Sequence, residues 1–240
     1  MKNNVVIKFE KVDKKFKKGQ KLLLKEALLD IFKPASTEEF YVLKDVNFEV
    51  KRGETLGILG PNGSGKSTIL KLIAQVMVPN KGKVTVLGQI APLIELGAGF
   101  HPELTGRENI YLNGTILGMS KEEIENKFNK IIDFAELKDF IDTPIKHFSS
   151  GMYMRLGFAV AVHVDLDILL VDEVLSVGDF DFQSKCMKKM ESFKREGKTL
   201  VFVSHSLETV SDFCDEVIYL KDGQVYFKGD AQKAVKLYRQ

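Results

Sequence analysis

Short apolar runs alternate with longer amphipathic stretches along most of this sequence. The runs within 55–59, 167–173 and 198–205 are too short for helices and are typical of strands buried on both faces of a sheet. Apolar residues at helical spacing follow the first run at 68–77, and a second helical pattern covers about 180–196. This alternation predicts an α/β domain with a mostly parallel sheet, whose ligand lies beyond the carboxyl ends of the strands.

Further strands and helices are predicted on either side of this alternating core. The additional strands are 5–12, 40–50, 83–87, 90–96, 217–220 and 224–227. Helical signals dominate from the end of a glycine-rich turn at 97–106 to about residue 163, and within them Ser120 and Glu123 predict a capping box. Asp230 is the predicted N-cap of a last helix over 231–238. A helical block is therefore expected between strands of the sheet.

The segment between the first two strands carries a basic patch at 14–19 and then a helix-prone stretch at 22–32. The stretch ends before Pro34, which disfavours a helical residue in front of it. Two interpretations are open. The stretch is a helix packed on its own domain, or it is a docking element for a membrane surface or a partner, because lysines flank a wide apolar face.

One glycine-rich stretch, between the strand at 55–59 and the helix at 68–77, fits the phosphate-loop pattern G-x-x-x-x-G-K-[ST]. Its glycines let successive backbone N–H groups surround a phosphate, and the helix start adds positive partial charge. Lys66 is expected to pair with the β- and γ-phosphates, and the Ser67 hydroxyl to ligate magnesium. The residues predicted to hold the nucleotide here are Gly60, Pro61, Asn62, Gly63, Ser64, Gly65, Lys66, Ser67 and Thr68.

Two adjacent carboxylates end the strand at 167–173. A carboxylate at the end of a buried strand is costly unless something compensates it, and a magnesium ion held jointly by Asp172 and Ser67 would do so. Glu173, the next residue, can then polarise or deprotonate the attacking water. Together with the phosphate loop, the pair predicts a nucleotide-hydrolysing site.

Composition sets limits on the class of protein. The chain has 240 residues, 44% hydrophobic and 28% charged, which is typical of a globular protein with a substantial core. Its net charge of +2 argues neither for nor against nucleic acid. Cys186 and Cys214 are too few for a disulfide framework and are expected to be buried thiols. The start lacks the apolar run of a signal peptide, and no stretch approaches the ~18 apolar residues of a membrane span.

A second anion-binding feature is predicted at 148–157, where two serines and a glycine open a helix. This stretch resembles the signature sequence of ATP-binding-cassette (ABC) ATPases, normally Leu-Ser-Gly-Gly-Gln, in its place upstream of the Asp-Glu strand. The resemblance implies that this helix serves the ATP held by the opposite protomer. It also implies that Asp179 belongs to the D-loop and that His205 is the switch histidine. The residues it adds to the nucleotide site are Ser149, Ser150, Gly151 and Asp179.

Three parts of the family pattern are altered or ambiguous. In the signature-like stretch, Ser150 replaces the first glycine and Met152 replaces the glutamine. The glutamine usual at the Q-loop is missing, and either Glu95 or Leu96 lies nearest to its place, with Glu95 as a third candidate magnesium ligand. The aromatic side chain that stacks on adenine is either Phe16, where the first strand ends, or Tyr41 beyond the insertion, with Phe16 favoured. His101, His147 and His163 are expected to be ordinary histidines.

One branch of this family, the ATPase subunits of bacterial exporters of lipid-linked O-antigen and wall teichoic acid, is resembled by the stretches 93–110, 148–153, 177–179 and 182–186. The resemblance implies an ABC nucleotide-binding domain over 1–240. This α/β fold has a P-loop NTPase three-layer core, an antiparallel β subdomain and an inserted α-helical subdomain at about 100–163. Some O-antigen relatives carry a carbohydrate-binding domain after the ATPase, so a chain stopping at Gln240 is expected to be a short form or a truncated one.

The function implied by the resemblance is ATP hydrolysis, with Mg²⁺, that drives export. A homodimer at the cytoplasmic face of the membrane, itself without a transmembrane segment, would work on a separate transmembrane permease that moves a lipid-linked glycan, with no nucleic acid involved. Two alternatives stay open. One is the ATPase of an importer or lipid exporter, which shares every catalytic residue named above. The other is a non-transport ABC ATPase of repair or translation, although this chain has neither the long coiled coils nor the paired cassettes of those proteins.

Overall fold

The computed structural model describes residues 4–17, 39–94, 97–172, 178–204 and 206–239. The predicted helix at 22–32 lies outside these residues. Within them the chain forms nine strands and seven α-helices. In chain order these are β1 (Val5–Lys17), β2 (Glu39–Lys51), β3 (Thr55–Leu59), α1 (Lys66–Ile73), β4 (Lys81–Val86), β5 (Ile90–Leu93), α2 (Gly106–Ile116), α3 (Lys121–Ala135), α4 (Ser150–Ala161), β6 (Ile168–Asp172), α5 (Phe180–Arg195), β7 (Thr199–Val203), α6 (Leu207–Phe213), β8 (Glu216–Lys221), β9 (Gln224–Asp230) and α7 (Ala231–Tyr238).

The strands form two sheets. Strands β2, β1 and β4 make an antiparallel sheet in that order, and the order of the larger sheet is β5-β6-β7-β3-β8-β9. Neighbouring strands from β5 to β8 run parallel, and only β9 runs antiparallel to its neighbour β8. Because the polar residues that end these parallel strands lie at one edge of the sheet, this topology gathers them there.

Both faces of the larger sheet are covered, as the continuous apolar runs predict. In β6, Leu169 and Val171 pack in a cluster with residues of α4 and α5, whereas Ile168 and Leu170 pack in a cluster with α1 and the antiparallel sheet. Side chains alternate between faces along a strand, so each strand of this kind contributes to both clusters. The result is a three-layer arrangement with the parallel sheet in the middle.

Helices α2, α3 and α4 share a third apolar cluster. The capping box predicted at Ser120 and Glu123 forms, and α2 starts with a second one, Thr105 with Glu108. Each box satisfies backbone N–H groups that a helix start leaves without partners. Whether this helical part forms a subdomain bounded at about 100 and 163 stays a prediction.

Several predicted boundaries differ from those of the structure. Helix α1 ends at Ile73 rather than at 77, because Gln75 adopts a left-handed φ of +60° and leaves Val76 exposed. Strand β1 continues to Lys17 instead of ending at 12, since register shifts beyond Phe9 let it keep pairing with β2. The last helix begins after its predicted N-cap, Asp230, and spans 231–238 as predicted.

Candidate functional site

The phosphate-loop stretch connects β3 to α1, the order that the sequence predicts. Gly63 and Gly65 have φ angles of +80° and +106°, in the region that favours glycine. An added Cβ at Gly63 would meet no atom within 4 Å, whereas at Gly65 it would lie 2.6 Å from Leu43 Cδ2. Gly63 therefore borders open space, and Gly65 lets the loop pack closely on β2.

Lys66 holds its positive charge inside this loop. The residue is buried, and its ammonium donates hydrogen bonds to the carbonyl oxygens of Gly60 at 2.8 Å and Pro61 at 3.2 Å. Next to it, Ser67 is exposed and Thr68 is half-buried. The loop thus presents a fixed cation beside an accessible hydroxyl, a combination that suits a nucleotide phosphate.

Helix α1 starts differently from the other six α-helices among the described residues. A side-chain oxygen caps each of the others, whereas Gly65 supplies none. A helix start leaves its first N–H groups without intrahelical acceptors, and an anion can supply those acceptors. The Ser64 hydroxyl oxygen is also buried without a hydrogen-bond partner in the described part of the chain. The loop and helix start together fit a bound phosphate group.

Asp172 is the last residue of β6 and lies half-buried at the carboxyl edge of the larger sheet. It is in register with Val203 of β7, which is in turn in register with Ile58 of β3. Two strand spacings separate β6 from β3, or about 10 Å. The Asp172 carboxylate and the Ser67 hydroxyl therefore lie at the same edge.

In the described ranges no cluster of three or more acidic, histidine or cysteine side chains could hold a metal alone. A sparse oxygen donor set suits Mg²⁺, which keeps several of its waters.

The second predicted anion-binding feature is the start of α4. Ser149 is the N-cap, and its hydroxyl oxygen accepts a hydrogen bond from the Met152 N–H at 3.2 Å. The serine can still donate its own hydroxyl hydrogen. Residues 149–151 open onto a cleft whose described lining includes Asp179 but no residue of the phosphate loop. Within the described residues, the phosphate loop and the start of α4 therefore do not line the same cleft.

Asp179 is the N-cap of α5 and uses both of its carboxylate oxygens within the chain. One accepts from the Phe182 N–H at 3.0 Å, and the other accepts from the Arg155 guanidinium at 2.6 Å. The Phe182 N–H, followed by the charge of Arg155, holds the pKa of the Asp179 carboxyl below its usual value. Arg155 did not stand out from the sequence alone, although it lies in the signature-like stretch.

The two candidate adenine-stacking aromatics lie on neighbouring strands of the antiparallel sheet. Phe16 pairs with Phe40, with ring centroids 6.3 Å apart, and Lys15 pairs with Tyr41, with the ammonium 4.6 Å from the ring centroid. Directly paired residues share a face, and successive residues alternate. Phe16 and Tyr41 therefore lie on opposite faces of this sheet, and which of them stacks on adenine stays a prediction.

Three predicted site residues, Glu95, Glu173 and His205, lie outside the described residues. Their roles stay predictions. None of the helices in the described ranges is both long and apolar enough to cross a membrane.

Comparison with known proteins gives a consistent picture. The family described as ABC transporter matches residues 43–176. The O-antigen export system ATP-binding protein RfbB of Klebsiella pneumoniae is 48% identical over 202 residues, which are 84% of this chain and 82% of that protein. The teichoic acids export ATP-binding protein TagH of Bacillus cereus is 46% identical over 237 residues, which are 98% of this chain but only 43% of that protein.

Solved structures are similar to the whole arrangement. A dimeric structure of the ATP-binding cassette MJ0796 in a post-hydrolysis state, bound to ADP and Pi, has a TM-score of 0.75 at 28% identity. The match covers 94% of this chain and 98% of the MJ0796 chain. The ATP-binding subunit of an ABC transporter has a TM-score of 0.77 at 23% identity, covers 98% and 93% of the two chains, and shows likeness of fold alone. The predicted fold class and family resemblance are confirmed.

Proposed function

The chain belongs to the ABC transporter family, and we propose that it is the ATP-hydrolysing subunit of a transporter that exports lipid-linked O-antigen or teichoic acid across the cytoplasmic membrane. The relatives described above support this transport class, because their names specify O-antigen and teichoic acid export. Within the chain, the carrying observation is that two predicted anion-binding features do not line one cleft in the described residues. One is the phosphate loop with Lys66, and the other is the start of α4 at 149–151.

Two copies of the chain complete each ATP site in this proposal. The described lining of the cleft at 149–151 contains no phosphate-loop residue, so one chain does not bring its own two features together there. A two-fold axis would place the loop of one copy opposite the cleft of the other, twice. The dimeric MJ0796 cassettes support this arrangement by similarity. ATP then draws the copies together, and its hydrolysis lets them part.

The chemistry rests mainly on positioning and charge. Lys66 and the N–H groups at the start of α1 hold the β- and γ-phosphates, and residues 149–151 of the second copy donate hydrogen bonds to the same nucleotide. Glu173 acts as the general base on the attacking water, and His205 contacts the γ-phosphate. Phe16 or Tyr41 stacks on the adenine. Such fixed donors need little reorganisation during the reaction, which is the main source of rate enhancement in phosphoryl transfer.

Magnesium fits the oxygen donors at the carboxyl edge of the sheet. Ser67 and Asp172 would hold the ion, with Glu95 as a third candidate ligand. When bound, the ion neutralises the negative charge that develops on the β- and γ-phosphate oxygens.

Export requires a membrane-spanning partner in this proposal. A separate permease would carry the lipid-linked glycan, and the proposed dimer would bind that permease at the cytoplasmic face of the membrane. The helix-prone stretch at 22–32, with its flanking lysines, is one candidate contact for the permease or the membrane surface.

The first experiment tests the hydrolytic site. We expect Glu173→Gln to retain ATP binding and to lower turnover by about 10²–10⁴-fold, the range for loss of a general base. Glu191→Gln is the matched control, because Glu191 is an exposed acid on α5 whose contact is a 3.9 Å pair with Arg195. Near-normal ATP hydrolysis by Glu173→Gln, with Glu191→Gln also active, would remove Glu173 from its proposed role.

The second experiment tests the transport class. In a strain that lacks this chain, we expect cells without the polymer on their surface, which accumulate the lipid-linked polymer internally. Expression of the wild-type chain should restore export, whereas expression of Glu173→Gln should not. The chain should also co-purify with an integral membrane subunit. Normal surface polymer in the deletion strain would exclude glycan export and favour another ABC transporter.

A further inference from the structure

Arg155 joins three helices and lines the cleft at 149–151. It lies in the second turn of α4, and only 18% of its side chain is exposed. Its Nη1 donates to Glu136 Oε2 at 2.9 Å, and its Nη2 donates to Asp179 Oδ2 at 2.6 Å. The centre of the guanidinium lies 4.9 Å from the ring centroid of Phe182. One side chain of α4 thus contacts the end of α3 and the first turn of α5.

A lysine closes the link between α3 and α5. Glu136, the left-handed C-cap of α3, also accepts from Lys185 of α5 at 2.9 Å. The same ammonium donates to the carbonyl oxygens of Phe134 at 2.9 Å and Asp133 at 3.3 Å. These carbonyls belong to the last turn of α3, where a cation satisfies acceptors that the helix leaves unpaired. We call Glu136, Arg155, Asp179 and Lys185 the four-charge cluster.

The glycine in front of α5 lies close to Phe182 and Arg155. Gly178 has a φ of +76°, and an added Cβ there would lie 3.2 Å from Phe182 and 3.4 Å from Arg155 Nε. A side chain at this position would be both strained and crowded. Gly178 therefore brings the backbone in front of α5 close to Phe182 and to the Arg155 guanidinium.

The four-charge cluster adds little to the stability of the fold. The carboxylate side chains of Glu136 and Asp179 are 50% and 65% exposed, and exposed ion pairs contribute only about 0–1 kcal/mol. Orientation is the stronger effect, because a mostly buried guanidinium held by two carboxylates and an aromatic ring has little rotational freedom. The cluster can therefore set the relative position of two helix starts, although its ion pairs add little to the free energy of unfolding.

We propose that Arg155 is a positioning residue that holds the start of α4, residues 149–151, and the start of α5, residues 178–182, as one unit facing the second copy of the chain. In this role Asp179 is the connection between Arg155 and the first turn of α5, since it also caps that helix. The inference rests on the proposed function, in which residues 149–151 serve the ATP of the second copy. Its own content is that Arg155 acts through Glu136 and Asp179, not by contact with that nucleotide.

The chain offers a control for Arg155 at Arg107, a second arginine with a carboxylate partner and an aromatic face. Arg107 donates to both carboxylate oxygens of Asp142, at 2.6 and 3.1 Å, and lies 4.9 Å from the ring centroid of Phe128. It shares with Arg155 a carboxylate partner and an aromatic face, although its side chain is 45% exposed and it has one carboxylate partner instead of two. Arg107 does not line the cleft at 149–151.

The first test measures backbone hydrogen exchange in the full chain without nucleotide. Arg155→Met should raise exchange in peptides covering 149–155 and 178–185 by about fivefold or more, because both helix starts lose their common restraint. Glu136→Gln should raise exchange in the same peptides by a smaller factor. Arg107→Met should leave them unchanged. Unchanged exchange in both regions for Arg155→Met would overturn the inference, whatever the outcome of the dimer experiments.

The second test measures ATP-driven self-association by analytical ultracentrifugation in the Glu173→Gln background. Arg155→Met and Glu136→Gln should each weaken association, by about tenfold for Arg155→Met, with the affinity of one copy for a fluorescent ATP analogue unchanged. Arg155→Lys should recover only part of the loss, since an ammonium lacks the planar fork. If Glu136→Gln associates normally while Arg155→Met does not associate at all, Arg155 contacts the second copy directly. That result would overturn the positioning role. Failure of the Glu173→Gln parent to associate with ATP would instead contradict the proposed dimer.

Discussion

Gly151 lies in the signature-like stretch, and the addition of a single methyl group there, Gly151→Ala, gives the sharpest test of the proposed dimer contact. The residue lies in the first turn of α4 and has no positive φ among the described backbone angles. An added Cβ would have one neighbour within 4 Å, the Ser149 hydroxyl oxygen at 3.8 Å, which is an ordinary contact distance. Nothing in the described single chain therefore requires glycine at this position.

The expected effects of Gly151→Ala on stability and on activity have opposite signs. Alanine is favoured over glycine in a helix by up to about 1 kcal/mol, so the melting temperature should stay constant or rise by about 1–4 °C. In the proposed dimer the same methyl group would point into the closed contact with the nucleotide of the second copy. Overpacking a close contact costs about 1–3 kcal/mol. The ATP turnover should therefore fall by about 5–150-fold.

The assay combines thermal unfolding with steady-state ATP hydrolysis and with ATP binding to the phosphate loop. Asn129→Ala on the exposed side of α3 is the control, since it also raises helix propensity but lies outside the lining of the cleft. It should be as stable as Gly151→Ala or more so, and fully active. Affinity for ATP in the single copy should be the same in both variants.

One pair of results would refute the reasoning. If Gly151→Ala hydrolyses ATP at the wild-type rate and is no less stable, the open space at Gly151 is not a nucleotide or partner contact. A lower melting temperature would instead mean that the single chain itself needs glycine at this position, contrary to the described packing.

Two further predictions follow from described side chains. Lys66→Ala should weaken ATP binding by about 100-fold in isothermal titration, because the loop loses its buried cation and the carbonyls of Gly60 and Pro61 lose a donor; wild-type affinity would contradict the phosphate-loop assignment. Burial raises the pKa of the Cys186 and Cys214 thiols to about 12, so both stay protonated at pH 8 and thiolate forms only as the pH approaches that value. Ellman's reagent should then label neither thiol of the folded chain within minutes at pH 8 and both after denaturation, and rapid labelling of the folded chain would contradict their burial.

Local sequence patterns predicted much of the fold. The apolar run at 55–59 and the glycines behind it specify a strand, a tight loop and a helix start, since each of these depends on residues a few positions apart. The capping box at Ser120 and the N-cap at Asp230 are local for the same reason, and both form. The continuous apolar character of β6 and β7 correctly indicated burial on both faces of the sheet.

Boundaries that depend on distant partners were predicted less well. The end of β1 at Lys17 depends on continued pairing with β2, and a period-two pattern cannot show it because register shifts interrupt the alternation. Helix α1 stops at Ile73 although apolar spacing continues to 77, since the left-handed Gln75 turns the chain away. In both cases the backbone geometry beyond the local pattern decided where the element ends.

The sequence by itself determined the local structure of the phosphate-loop stretch, because its glycines and Lys66 make their turns and hydrogen bonds within a few positions of one another. Only the tertiary structure decided which groups lie beside the second anion-binding feature. Glu136, Arg155, Asp179 and Lys185 are separated by up to 49 positions and carry no common motif, yet α3, α4 and α5 bring their charges within hydrogen-bond distance. Side-chain charge is written in the sequence, whereas the distance between two charges depends on how the helices that carry them pack.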